Sequence, residues 1–175
     1  MPDILFVPPP IFTMEQSDSE ALPKSLGDML SKAFGYAFEA HRNDFDRNGM
    51  PYIMHPVEVM QKQTTIPRMI AALLHDVVED HGDKYTILMI AEEFTAMTAK
   101  TVDALTRREQ ESWSAYIDRV LEDEDACWIK LGDLESNMNP RRMDEKAAKR
   151  CCTMYSSAYK KIAKKLGVVS YMHVS

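Results

Sequence analysis

Residues Arg68–Asp80 read RMIAALLHDVVED. At about 100° per residue, Ile70, Leu73, Leu74, Val77 and Val78 fall on one side of a helix, and His75, Asp76, Glu79 and Asp80 occupy the opposite arc. The spacing predicts a single amphipathic helix over 68–80, buried on its apolar side. A solvated helix face gives the same pattern, so four ionisable groups on one arc are not yet a site.

The segments on either side also read as helices. Upstream, Leu26, Leu30, Ala33, Phe34, Ala37 and Phe38 recur at helical spacing and predict a helix over Leu26–Arg42 with these residues on its apolar face. Pro56 suits the first position of the next helix, which places His55 at a loop-to-helix junction. Downstream, helices fit Thr86–Phe94, Thr98–Arg107, Glu111–Leu121 and Asp125–Asn137. The last begins with Asn139 as N-cap and Pro140 in the first turn. It carries Met143, Ala147, Cys151, Met154, Ala158, Ile162 and Leu166 on one face and stops at Gly167. No strongly alternating β-branched runs suggest a sheet. The expected fold is an all-α bundle of about eight helices.

Bulk properties bound the function. A chain of 175 residues, 45% hydrophobic and 27% charged, suffices for one core. Five of the nine prolines fall in residues 1–23, so 1–24 reads as an extended arm and 25–175 as the domain. The net charge of -6 argues against nucleic-acid and anionic-membrane partners, which call for a positive surface field. Cys127, Cys151 and Cys152 show no CxxC spacing, which points to a reduced, cytoplasmic setting. No apolar run approaches the roughly 20 residues that span a bilayer, and the N-terminal stretch lacks the marks of a signal peptide.

Three segments supply metal-ligand chemistry. His55 stands at a helix entrance, His75 and Asp76 are adjacent, and Asp133 lies one turn before Asn137. Two imidazoles and two carboxylates suit manganese, iron or zinc with positions left for water and substrate. The stretch Asp44–His55, DFDRNGMPYIMH, opens like a calcium loop but places His55 where a bidentate Glu belongs, and calcium does not favour nitrogen.

Ala40-His41, the run from Gly49 through Pro51-Tyr52-Ile53 to His55-Pro56, ALLHDVVED at Ala72–Asp80, LTR at Leu105–Arg107, and Lys130-Leu131-x-Asp133-x-x-x-Asn137 follow one another in order. Together they resemble the hydrolase domain of the RelA/SpoT alarmone enzymes, within the HD superfamily of all-α, metal-dependent phosphohydrolases. The resemblance implies manganese-dependent removal of pyrophosphate from the 3′ position of (p)ppGpp, giving GDP or GTP. It makes His55, His75, Asp76 and Asp133 the metal ligands and Glu79 and Asp80 the acidic pair that activates water. Asn137 matches a nucleotide contact, and Asp46, Arg47 and Asn48 match the substrate loop. With little chain beyond the motifs, a small hydrolase-only member is expected. Self-association and functional pairing with an alarmone synthetase are further expectations.

The sequence departs from the family in three places. Asp46-Arg47 stands where relatives carry Arg-Lys, Arg42-Asn43-Asp44 replaces a Gly-Gln, and Leu134 occupies a position often basic. A carboxylate at 46 loses guanidinium stacking and repels phosphate, which opens adenosine alarmones or another phosphorylated nucleotide as alternative substrates. An antitoxin or nucleotide-binding module without turnover is the alternative from another class. His41 and His81 read as structural residues near helix ends, and Trp113, Tyr116 and Trp128 as core or subunit contact. Arg141, within the basic run Arg141, Arg142, Lys146, Lys149 and Arg150, is a candidate phosphate contact.

Overall fold

The computed structural model describes residues 24–139 and 145–168. Among these, nine helical segments follow in order: α1 Lys24–Ala40, α2 Met54–Gln61, α3 Ile66–Leu74, α4 Val77–Asp80, α5 Ile87–Glu93, α6 Ala96–Leu105, α7 Trp113–Val120, α8 Glu124–Asn137 and α9 Glu145–Leu166. The fold is all-α. The described backbone has one isolated β-bridge, Phe45 to Pro51, closing the loop after α1. Gly49 turns that loop with φ 78°, a left-handed conformation open to glycine. No helix among the described residues is long and apolar enough to cross a membrane.

Side-chain caps explain where most helices start. Thr65, Thr86, Thr95, Ser112 and Asp123 each accept a hydrogen bond from the backbone N–H three residues on, satisfying a donor with no partner inside its helix. At the far end, Gly167 takes φ 68°, and Val168 N–H returns to the Ala163 carbonyl at 3.0 Å, which closes α9 where the sequence predicted. The expected start of this helix at Pro140 lies outside the described residues, as do Arg141, Arg142 and Met143.

Helix α3 is the hub, packing on α1, α2, α6 and α8; α9 closes over α8. Ile70, Leu73, Leu74 and Val77 are buried as their periodicity requires, but Ala71, Ala72 and His75 are buried as well, since the hub helix is covered on more than one side, and Val78 is only partly buried.

Four local expectations are corrected. The single helix over 68–80 is two, α3 and α4, with a turn at His75-Asp76. His75 Nδ1 lies 2.7 Å from the Ala72 carbonyl, the oxygen that an uninterrupted helix offers to the Asp76 N–H, so the side chain competes with the ladder at this point. His55 is not at a junction but inside the first turn of α2, with Pro56 behind it, since that turn leaves N–H groups unpaired and tolerates proline. On α1 the buried stripe is Ala33 and Ala37, small residues that bring the helix close to α3, while Phe34 and Phe38 are each 44% exposed. On α9, Ala158 and Ile162 are buried, but Met154 is exposed.

Candidate metal centre

His55 from α2, His75 and Asp76 from the α3–α4 turn, and Asp133 from α8 meet beside the hub helix. Both imidazoles are only 2% exposed, and their ring centroids are 5.2 Å apart. His55 Nε2 lies 3.0 Å from Asp133 Oδ1 and 3.5 Å from Asp76 Oδ2. His75 Nε2 lies 3.2 Å from Asp76 Oδ2 and 3.8 Å from Asp133 Oδ1, yet it is buried without a hydrogen bond. All four ligands named from the sequence are therefore brought together.

The outward nitrogens fix how these rings are used. His75 Nδ1 faces a carbonyl, which can only accept, so Nδ1 carries the proton. Ser136 donates its one hydroxyl hydrogen to Glu58 Oε2 at 2.8 Å, which leaves its oxygen to accept from His55 Nδ1 at 3.1 Å. In the neutral tautomer both rings then turn an Nε2 lone pair toward Asp76 and Asp133. Outer partners that orient imidazoles in this way are what a metal site requires.

The carboxylates are held as firmly. Tyr52 OH donates to Asp76 Oδ2 at 2.8 Å, and Asn137 Nδ2 donates to Asp133 Oδ1 at 2.6 Å. Lys130 Nζ sits 2.6 Å from Asp133 Oδ2, over the rings of Trp113 and Tyr116 at 5.6 and 5.1 Å. Tyr116 is itself fixed by a 2.6 Å bond to the Leu105 carbonyl. Burial alone would raise the pKa of Asp76, but His75 and His55 hold it well below the usual carboxylate range. Burial opposes ionisation of Asp133 too, and Lys130 with the two imidazoles overrides it. For His75 burial disfavours charge, and Asp76 and Asp133 outweigh that to favour a cation. The two carboxylates together favour positive charge at the centre of this group. Two buried nitrogens and two ionised oxygens on separate elements fit a divalent transition metal.

At the rim, Glu79 and Asp80 are exposed at the end of α4. Glu79 Oε2 accepts from the Arg107 N–H at 2.8 Å, which explains why the LTR segment accompanies the acidic pair. Desolvation, reinforced by Asp76 and Glu79, raises the Asp80 pKa to about 6, and desolvation raises that of Glu79 despite the Arg107 bond. A raised pKa means that the native chain holds a proton at Asp80 after the unfolded chain has lost it. The stability from this group is full in acid and is lost as pH rises through about 6. Asp80→Asn should therefore raise the thermal midpoint of the chelator-treated chain at about pH 8 and leave it unchanged below about pH 3, under the unfolded carboxyl's pKa; equal midpoints at the higher pH contradict this.

The substrate loop is placed less simply. Asp46 Oδ1 accepts from the N–H groups of Asn48 and Met50 at 2.9 and 3.0 Å, so this oxygen organises the loop. Arg47 and Asn48 are exposed on the same turn. Asp44 and Asp46 turn to different partners and do not form a calcium loop: Asp44 Oδ2 meets His41 and His81. Arg141 lies outside the described residues. Lys130, Ser136, Tyr52 and Glu58 were given no role in the sequence reading. Of these, Lys130 carried a signal, since it stands three residues before Asp133 on one helix and so on the same face.

No protein-family model matches the chain. It is 32% identical over 146 residues to a probable GTP pyrophosphokinase of Mycobacterium leprae, covering 75% of this chain and 18% of that protein. It is 29% identical over 154 residues to a guanosine-3′,5′-bis(diphosphate) 3′-pyrophosphohydrolase of Aquifex aeolicus, covering 81% and 22%. The chain thus spans about a fifth of the length of these curated relatives. A solved structure, that of a metazoan ortholog of SpoT that hydrolyzes ppGpp, superposes with a TM-score of 0.63 at 20% identity over 81% of this chain and 97% of that one, showing a shared fold. By these similarities, and by the ordered motifs that its fold draws into one cluster, the chain belongs to the RelA/SpoT family.

Proposed function

We propose that this protein removes the 3′-pyrophosphate of guanosine alarmones, converting (p)ppGpp to GDP or GTP and pyrophosphate, with manganese as cofactor. The observation that carries the metal chemistry is the pair of buried Nε2 atoms, His55 and His75, each oriented from behind toward the same two carboxylates. The substrate is suggested by the names of the relatives, three of which are guanosine-3′,5′-bis(diphosphate) 3′-pyrophosphohydrolases.

His55, His75, Asp76 and Asp133 would hold the cation, which when bound supplies a Lewis acid that acidifies water and polarises a phosphoryl oxygen. Around it, the chain's own groups orient and move protons. Tyr52 and Asn137 steady one oxygen each of Asp76 and Asp133, and Lys130 fixes the second oxygen of Asp133. Glu79, one turn beyond His75 and tethered to the Arg107 backbone, would orient the attacking water. Asp80, whose carboxyl is held above its ordinary pKa in the metal-free chain by desolvation, Asp76 and Glu79, would accept a proton from that water. Arg47, exposed on the loop after α1, would face the phosphates of an incoming nucleotide.

The test is direct. Full-length protein incubated with ppGpp and manganese should release GDP and pyrophosphate, resolved by anion exchange. Absence of both products at micromolar enzyme would refute the reading. Faster turnover of an adenosine alarmone in the same assay would transfer the chemistry to that substrate.

A further inference from the structure

A second group of ligand-type side chains lies apart from the centre described above. His41, one residue past α1, is buried to 1% exposure, and its Nδ1 is 2.8 Å from Asp44 Oδ2. His81, at the end of α4, places Nε2 2.7 Å from the same oxygen. The imidazole centroids are 5.1 Å apart, and the three ligand atoms all lie within 4.8 Å of one another.

This arrangement is unusual for hydrogen bonding alone. One carboxylate oxygen is shared by two imidazoles drawn from separate elements. If both rings donate to it, His41 keeps a bare Nε2, which is fully buried and has no hydrogen-bond partner. Burial holds the His41 pKa below its ordinary value, so the ring is neutral. With its proton on Nε2 instead, it turns the Nδ1 lone pair toward the ionised Asp44 Oδ2 at 2.8 Å, an approach of two electron-rich atoms that a cation between them would relieve. Burial raises the Asp44 pKa, but the bonds to His41 and His81 override it and keep the carboxylate ionised.

We propose that His41 Nδ1, Asp44 Oδ2 and His81 Nε2 form a second divalent-cation site, selective for a borderline transition metal such as zinc, cobalt or nickel. Two nitrogens and one oxygen make a three-ligand set of the kind that leaves a fourth position to water. The hard cations magnesium and calcium prefer all-oxygen surroundings. The Asp44 and His81 side chains are 33% and 19% exposed, so ions and water can reach the group from solvent. Its ligands are distinct from the four of the hydrolytic centre, and either site can be lost alone.

Occupancy would fasten the end of α1 and the following loop to the end of α4. The Tyr52 ring lies against both centres, 4.9 Å from His41 and 5.6 Å from His55, and its hydroxyl reaches Asp76. His81 directly follows Asp80 in the chain, so a bound cation would also place positive charge next to the acidic pair.

Cobalt bound by the chelator-stripped full chain can be counted by equilibrium dialysis at neutral pH, with far-UV circular dichroism confirming helicity. Asp44→Asn and His81→Ala should each lose one equivalent of cobalt relative to the wild type. His75→Ala combined with His81→Ala should lose one more than His75→Ala alone. His81→Gln, which keeps a hydrogen-bonding side chain, stands in for His81→Ala if the latter loses helicity, and it should lose the same equivalent. A helical Asp44→Asn or His81 variant that binds as much cobalt as the wild type overturns the site and leaves a hydrogen-bonded clasp in its place.

Discussion

Glu79→Gln should lower kcat for ppGpp hydrolysis by about 10²–10⁴-fold, the range for losing a positioned acid–base group. The amide keeps an oxygen for the Arg107 N–H, which Glu79 Oε2 now accepts at 2.8 Å, so the helix end and the LTR segment stay in register. What it loses is negative charge and the ability to hold a water proton. Metal content and KM should stay close to wild type, because Glu79 is not among the four converging ligands. If Asp80 takes the proton, kcat should rise with pH as its carboxyl ionises, in wild type and Glu79→Gln alike, and that rise should be missing in Asp80→Asn. A Glu79→Gln enzyme within tenfold of wild type would remove Glu79 from the chemistry.

Lys130→Met should destabilise the chelator-treated chain by about 3–5 kcal/mol, the usual cost of removing one partner of a buried ion pair. Lys130 lies largely out of solvent between Trp113, Tyr116 and Asp133, and burial would lower its pKa, but Asp133 foremost, with Tyr116, holds it above the ordinary lysine value. Methionine fills the stem volume but leaves the buried Asp133 Oδ2 without its cation. Adding Asp133→Asn should recover much of the loss, because the orphaned charge goes with it. Urea denaturation of the two variants measures both quantities. A single-mutant loss under about 1 kcal/mol would mean that water, not Lys130, neutralises this oxygen.

The contrast between Lys130 and its neighbour Asp133 shows what could be read in the sequence. Helix positions were legible because apolar spacing and small polar caps act locally: Ile70, Leu73, Leu74 and Val77 are buried as the period requires, and α8 ends at Asn137 as expected. That His55, His75, Asp76 and Asp133 belong together was legible because their residue types are chemically specific and occur in ordered motifs. Their orientation was not, since it depends on atoms far apart in the chain. The His55 tautomer is fixed by Ser136, and Ser136 by Glu58. The break at His75-Asp76 escaped periodicity because it turns on one hydrogen bond, from a ring nitrogen to the Ala72 carbonyl, and residue type does not reveal it. Phe34 and Phe38 misled for the opposite reason. Apolar character suggested burial, but the tight approach of α1 to α3 selected Ala33 and Ala37 instead. His41 and His81 each look like an isolated helix-end residue until the fold returns residue 81 to the loop at Asp44.

The most direct measurement is turnover of ppGpp by the full-length chain before chelation, after chelation, and after manganese is restored. Pyrophosphate release should fall to background on chelation and return with manganese, and the return should be at least about tenfold weaker when Asp133→Asn removes one carboxylate charge. Undiminished pyrophosphate release from the chelated chain, or none with manganese present, would contradict manganese-dependent hydrolysis.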